Sequence, residues 1–142
     1  HKTELLTGRP IRNIMHGGAA GGAGAGMFAF MHAPLAEGIG FFLEQTGFEQ
    51  ALRQSDLVVT GEGSLDAQTL QGKGPYGVAL MAKNLGKPVI GLAGRITDHE
   101  LLSPYFSSLL CINQEEKSLE EMLAATEGNL ERAGSLLIQG RR

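Results

Sequence analysis

Apolar and polar positions fall into two regimes along the chain, divided near Ser55. Beyond it, short apolar runs alternate with helical periodicity. Leu57-Val58-Val59-Thr60 is a continuous β-rich run, as expected of a strand covered on both faces. Pro75 suits the first position of a helix, Val78, Ala82 and Leu85 recur at helical spacing, and Gly86 can close that helix. Residues 88–93 predict a second buried strand and residues 107–112 a third. Thr97-Asp98-His99-Glu100 and Ser118-Leu119-Glu120-Glu121 each have the capping-box pattern of a helix start. Leu119, Met122, Thr126, Leu130, Ala133 and Leu137 mark one face of a long final helix ended by Gly140. Strand–helix alternation of this kind predicts an α/β fold on a parallel sheet.

Before Ser55 the pattern is weaker. Ile11 to Met15 has the length of a short strand. A glycine–alanine stretch over residues 16–26 then leads into Met27-Phe28-Ala29-Phe30-Met31, which predicts a close-packed helix over residues 20–32, stopped ahead of Pro34. Phe41-Phe42-Leu43 and Phe48 with Ala51 and Leu52 read as two short helices broken at Gly47, although residues 39–44 fit a strand as well, since short apolar runs do not separate the two. Gly24-Ala25-Gly26-Met27-Phe28-Ala29 also fits the dinucleotide pattern G-x-G-x-x-G/A, with Glu44 about 20 residues on. That would require a buried strand at residues 11–15, where Arg12 and Asn13 are too polar.

Composition narrows the class of partner. The 142 residues carry a net charge of -3, which disfavours nucleic acid and anionic membrane as partners. No apolar run approaches the roughly 18–20 residues that span a bilayer, and no signal-peptide pattern opens the sequence. The single cysteine, Cys111, lies in an apolar run and is expected as a small buried side chain in a reducing, cytoplasmic setting. The 21 glycines are about twice ordinary usage, which points to tight turns and to backbone lying against ligands. His1 in place of methionine points to a sequence that begins inside a longer product.

Ligands of parallel sheets bind at the carboxyl ends of the strands. The first predicted strand ends at Thr60, and residues 61–74 then precede the Pro75 helix, whereas ordinary strand–helix loops run about 2–6 residues. This stretch carries Gly61, Gly63, Gly72 and Gly74, the carboxylates Glu62 and Asp66, the hydroxyls of Ser64 and Thr69, the Gln68 amide and one cation, Lys73. Phosphoryl transfer uses such groups: backbone N–H cradles phosphate, lysine offsets its charge, and a carboxylate holds Mg²⁺ or accepts a hydroxyl proton. The stretch is not a Walker A loop, because Ala67 and Gly74 stand where that motif needs glycine and Ser/Thr. Arg95, after the second strand, could clamp a carboxylate or phosphate, or pair with Asp98 or Glu100. His16 and His32 have no second ligand at metal spacing, and His99 reads as an exposed residue at a helix start.

The order of these residues resembles the glycerate kinase type 1 family. Residues 56–69 (D-L-V-V-T-G-E-G-S-L-D-A-Q-T), residues 72–79 (G-K-G-P-Y-G-V-A) and the upstream Gly18-Ala19-Ala20-Gly21-Gly22-Ala23-Gly24 are similar to its segments, with spacing preserved. His16 departs from the pattern, standing where the family has a small residue. The resemblance implies the C-terminal portion of a longer, two-domain glycerate kinase fold, with a three-layer αβα Rossmann/flavodoxin-like parallel sheet. Residues 1–54 would belong to an inserted domain and residues 55–142 to the Rossmann-like one. It further implies transfer of the ATP γ-phosphate to D-glycerate with Mg²⁺, commonly giving 2-phosphoglycerate. Asp66 and Glu62 would be the base and metal-organising carboxylates, and Lys73 would neutralise phosphate. Gly61, Gly63, Gly72 and Gly74 would give close backbone approach, with Ser64 beside them. Gln68 and Thr69 would orient substrate hydroxyls, Arg95 would add an anion contact, and Gly21, Gly22 and Gly24 would line the opposite wall. Homo-oligomer formation stays open, as do a non-catalytic ligand-binding module and, less favoured, a dinucleotide-dependent oxidoreductase.

Overall fold

The structure, a computed structural model, describes residues 2–115 and 117–139. It divides into two compact units, residues 1–41 and 42–142. The first holds α1 (Lys2–Thr7) and α2 (Ala19–Met31), and the next helix, α3 (Gly38–Gln45), begins in it. Arg9 joins α1's end to α2: its guanidinium lies 4.1 Å from the centre of the Phe28 ring and donates to the Phe28 carbonyl.

Two expectations for this unit are corrected. Residues 11–15 form turns, with Ile14 N–H donating to the Ile11 carbonyl, and not a strand. No partner strand pairs with them, so the dinucleotide pattern lacks the strand it requires. The predicted helix over residues 20–32 does form, but Ala20, Gly21 and Gly22 are left-handed at its start (φ 50, 67 and 97°). Regular helix therefore begins only after Gly22. Glycine relieves this conformation at two of the three positions.

The second unit continues through α4 (Phe48–Arg53), β1 (Val58–Leu65), α5 (Gly74–Asn84), β2 (Val89–Ile96), α6 (His99–Leu102), β3 (Ser108–Cys111), α7 (Leu119–Ala124) and α8 (Thr126–Gln139). Gly47, at φ 64°, separates α3 from α4 as predicted. The three strands form a parallel sheet in the order β1-β2-β3, so the α/β architecture is as the alternation implied. Val58, Val89 and Ala93 of the sheet pack with Ala79 and Ala82 of α5, Leu102 and Phe106 into one core.

Two strands run further than expected. β1 was predicted to stop at Thr60, but it stays paired with β2 through Gly61↔Leu92, Glu62↔Ala93, Ser64↔Arg95 and Leu65↔Ile96. A side chain at Gly61 would collide with the Leu92 carbonyl, within 3.2 Å of its carbon, so the close ladder demands glycine there. Much of the long predicted loop is therefore strand, and the true connection is residues 66–73. Arg95 likewise lies inside β2.

Helix ends differ in their chemistry. Ser118 and Glu121 form the predicted capping box, and the two Ser118 hydrogen bonds hold the Glu121 carboxyl below the ordinary range. At α6 the expected Thr97 cap is absent. Asp98 occupies the cap position, left-handed at φ 51°, and makes no side-chain bond to its own helix. The final helix is two helices, broken at Ala125. Thr126 Oγ1 donates back to the Met122 carbonyl at 3.0 Å, an arrangement that bends helices. Gly140 lies outside the described residues. None of the described helices is long and apolar enough to cross a membrane.

Candidate active site

The carboxyl end of β1 turns sharply at Asp66 into one turn of 3-10 helix, Thr69–Gln71, and then into α5. The turn is held by short-range bonds that aspartate and threonine are suited to make. Asp66 N–H donates to Thr69 Oγ1 (3.1 Å), and the Asp66 carbonyl accepts from Thr69 N–H (2.9 Å). Asp66 Oδ1 accepts from Gln68 N–H at 2.9 Å, and Ser64 Oγ donates to Oδ2 at 3.4 Å. Gly72, at φ 95°, closes the 3-10 turn and reverses the chain into Lys73, which precedes α5.

Glu62 reaches the same place from within β1. Its Oε1 accepts from Thr69 Oγ1 at 2.8 Å. The Thr69 side chain is fully buried, so its one hydroxyl serves both Glu62 and the Asp66 backbone. Lys73 Nζ then lies 3.7 Å from Glu62 Oε1 and 3.9 Å from Asp66 Oδ1. The three charged side chains are 39 % (Lys73), 24 % (Glu62) and 27 % (Asp66) exposed, so each remains open to a ligand. Ion pairs this long and this wet contribute about 0–1 kcal/mol, which does not account for their assembly on stability grounds.

The structure thus brings Glu62 and Ser64 at the end of β1 together with Asp66, Gln68, Thr69 and Lys73 of the following turn. Gly61 and Gly63 lie in the adjoining strand, and Gly72 and Gly74 bracket Lys73. Arg95 is exposed, in register with Ser64 on the neighbouring strand. Gly21, Gly22 and Gly24 belong to the first unit; Gly24 lies 3.0 Å, measured from where a Cβ would stand, from the His16 carbonyl.

Two carboxylates and an adjacent hydroxyl match the oxygen donors that Mg²⁺ takes when it is shared with phosphate, since that ion uses one or two carboxylates and keeps water and phosphate in its other positions. Among the described residues no group of three or more His, Cys, Asp or Glu side chains is gathered as for a protein-only metal site. Replacing Thr69 by valine keeps the shape and removes both hydroxyl bonds. It is expected to destabilise the second unit by about 1–3 kcal/mol, read by denaturant unfolding; a loss below about 0.5 kcal/mol, within the range of a neutral surface change, would show that the bonds are not formed.

Sequence reasoning missed three features nearby. A groove of ≈ 910 Å³ runs along the sheet face opposite α5, between Val59, Gly61, Leu92 and Ile112 on one side and Leu119, Met122, Leu123 and Leu130 of α7 and α8 on the other. Glu62, Ser64, Arg95 and Asn113 form its polar end. Asn113 links the strand ends to α8: its Nδ2 donates to the Gly94 carbonyl (2.8 Å) and its Oδ1 accepts from Asn129 Nδ2 (2.8 Å). Asp98 accepts from Ala67 N–H at 3.1 Å. None of these is local in sequence, so none has a sequence signature.

The sequence model of the glycerate kinase family matches residues 2–140. The chain is 46% identical over 93 residues to a glycerate kinase of Halalkalibacterium halodurans, covering 66% of this chain and 24% of that protein. It is 44% identical over 88 residues to a glycerate 2-kinase of Escherichia coli K12, covering 62% and 23%. A crystal structure assigned as a glycerate kinase 2 of Salmonella typhimurium LT2 superposes with a TM-score of 0.62 at 34% identity, over 99% of this chain and 37% of that one. The matched part of the chain therefore covers about a quarter of the length of these curated relatives. With a match that runs nearly end to end and an α/β fold shared with a solved relative, the chain belongs to the glycerate kinase family.

Proposed function

We propose that this chain supplies the phosphoryl-transfer turn of an ATP-dependent kinase acting on D-glycerate, with 2-phosphoglycerate as product. The observation that carries the proposal is the convergence of Glu62, Asp66 and Lys73 at the carboxyl end of β1, within hydrogen-bonding support from one buried threonine. Relatives named glycerate kinase and glycerate 2-kinase support glycerate as the acceptor and its 2-hydroxyl as the site of transfer.

Asp66, held by Gln68 N–H and Ser64, would accept the proton of the attacking hydroxyl. Glu62 would hold Mg²⁺, with Asp66 its neighbour. When bound, that ion would offset charge on the transferring phosphate. Lys73 bridges both carboxylates and would also offset charge on the transferring phosphate. Gly72 and Gly74 leave room for phosphate oxygens at the start of α5, where N–H groups point outward. Arg95 would hold the glycerate carboxylate. Residues 1–54 would belong to a second domain and residues 55–142 to a Rossmann-like one, in a cytoplasmic enzyme.

The test is ADP release by the protein carrying this chain, dependent jointly on ATP, Mg²⁺ and D-glycerate, with the product resolved as 2- or 3-phosphoglycerate. Joint dependence and the 2-isomer are expected. ADP release indifferent to glycerate, or none at all, would overturn the proposal.

A further inference from the structure

We propose that Asp98 is a positioning residue for Asp66, acting through a clamp that the end of β2 places on the end of β1; this rests on the kinase function proposed above. Two consecutive residues form the clamp. Thr97 N–H donates to the Leu65 carbonyl at 3.0 Å, and Asp98 Oδ2 accepts from Ala67 N–H at 3.1 Å. These are the peptide groups on either side of Asp66, so the turn is gripped before and after the reacting side chain.

The clamp is a separate device from the bonds within the turn. Thr69, Gln68 and Ser64 fix Asp66 relative to its own loop. The Thr97–Asp98 pair fixes that loop relative to the neighbouring strand, where Arg95 lies in register with Ser64. It therefore carries the β1–β2 register, whose last pair is Leu65 with Ile96, past the proposed base, which the turn's internal bonds alone do not tie to the strand that bears Arg95.

Asp98's backbone supports the assignment. A residue preceding a helix ordinarily turns its carboxylate onto the first free N–H groups. Asp98 makes no such bond. It stands left-handed, at φ 51° and ψ 38°, and its carboxylate meets the N–H of a residue 31 positions away, with Thr97 Oγ1 donating to the same oxygen at 3.3 Å. Aspartate, asparagine and glycine all tolerate that conformation, whereas other side chains are strained in it. Those three residues consequently separate acceptor, charge and backbone effects at one position.

The experiment measures kcat, the KM values for ATP and D-glycerate, and amide hydrogen exchange at Ala67 in Asp98→Gly and Asp98→Asn proteins. Asp98→Gly keeps the backbone and loses the acceptor. It is expected to lower kcat roughly tenfold with little change in either KM, and to speed exchange at Ala67 by about tenfold. Asp98→Asn keeps an acceptor oxygen and is expected to recover most of both losses. An Asp98→Gly protein with unchanged kcat and unchanged Ala67 exchange would overturn the proposal. So would an Asp98→Asn protein as impaired as Asp98→Gly, because charge and not the hydrogen bond would then be the agent. If the unaltered protein releases no ADP, the kinase function itself fails, and exchange at Ala67 alone decides whether Asp98 holds the turn.

Discussion

Asp66→Asn is expected to lower kcat of the protein carrying this chain by about 10²–10⁴, the loss typical of a positioned general base. The substitution is nearly isosteric. Asparagine's oxygen can still accept from Gln68 N–H, and the Asp66 backbone bonds to Thr69 do not involve the side chain. Lys73 retains Glu62 at 3.7 Å as a partner. Unfolding free energy should therefore change by less than about 1 kcal/mol, as for other partly exposed polar changes, and a fall in rate would report chemistry and not folding. The two roles open to Asp66 give different signatures. As base, Asp66→Asn lowers kcat at saturating Mg²⁺, and excess Mg²⁺ does not restore it. As metal ligand alone, it raises the Mg²⁺ concentration needed for half-maximal rate, and excess Mg²⁺ restores turnover. Turnover within about threefold of the unaltered protein at every Mg²⁺ concentration would exclude both roles, being far short of a general base's contribution.

The chemistry of this turn was legible in the sequence, and its architecture was not. Glycines, two carboxylates and a lysine between a β-rich run and Pro75 have a fixed linear order, and that order identifies the family and the side chains that converge at the end of β1. The boundary of β1 was misplaced because Gly61, Glu62, Gly63 and Ser64 are poor strand formers by propensity. Pairing with β2 overrides that local preference, and the register bonds responsible come from residues about thirty positions away. Ile11 to Met15 fails in the opposite direction. It has the length of a strand but no partner among the described residues, and an unpaired strand has nowhere to place its backbone donors and acceptors. Thr97 to Glu100 fits a capping box as text, yet the carboxylate of Asp98 finds Ala67 N–H instead. Burial of Thr69 is equally invisible, since a threonine in a glycine-rich loop is ordinarily at the surface. In each case the missing information is a contact between segments brought together by the sheet.

Leu65→Ala is expected to destabilise the second unit by about 2–5 kcal/mol, lowering its Tm on the order of 10 °C. Leu65 is the last residue of β1 and has no exposed surface. Its side chain fills space that Gly91 leaves open: a Cβ on Gly91 would stand 3.0 Å from Leu65 Cδ1. Truncation leaves a cavity among Gly91 and the core that the parallel ladder, pinned by Gly61 against Leu92, cannot collapse to fill. Leu65→Met, which nearly conserves volume, should cost less than about 1.5 kcal/mol. Leu65 also precedes Asp66 directly, and its carbonyl is the one that Thr97 grips. Loss of its anchor should therefore loosen the turn as well as the core. Val89→Ala provides the comparison, because Val89 is equally buried but lies at the opposite end of the sheet. Measured well below both transitions, Leu65→Ala should lose kcat while Val89→Ala retains it. A Tm within about 2 °C of the unaltered protein would mean that Leu65 supports no core. Equal kcat losses in both variants would mean that the turn responds to general loosening and not to the residue from which it springs.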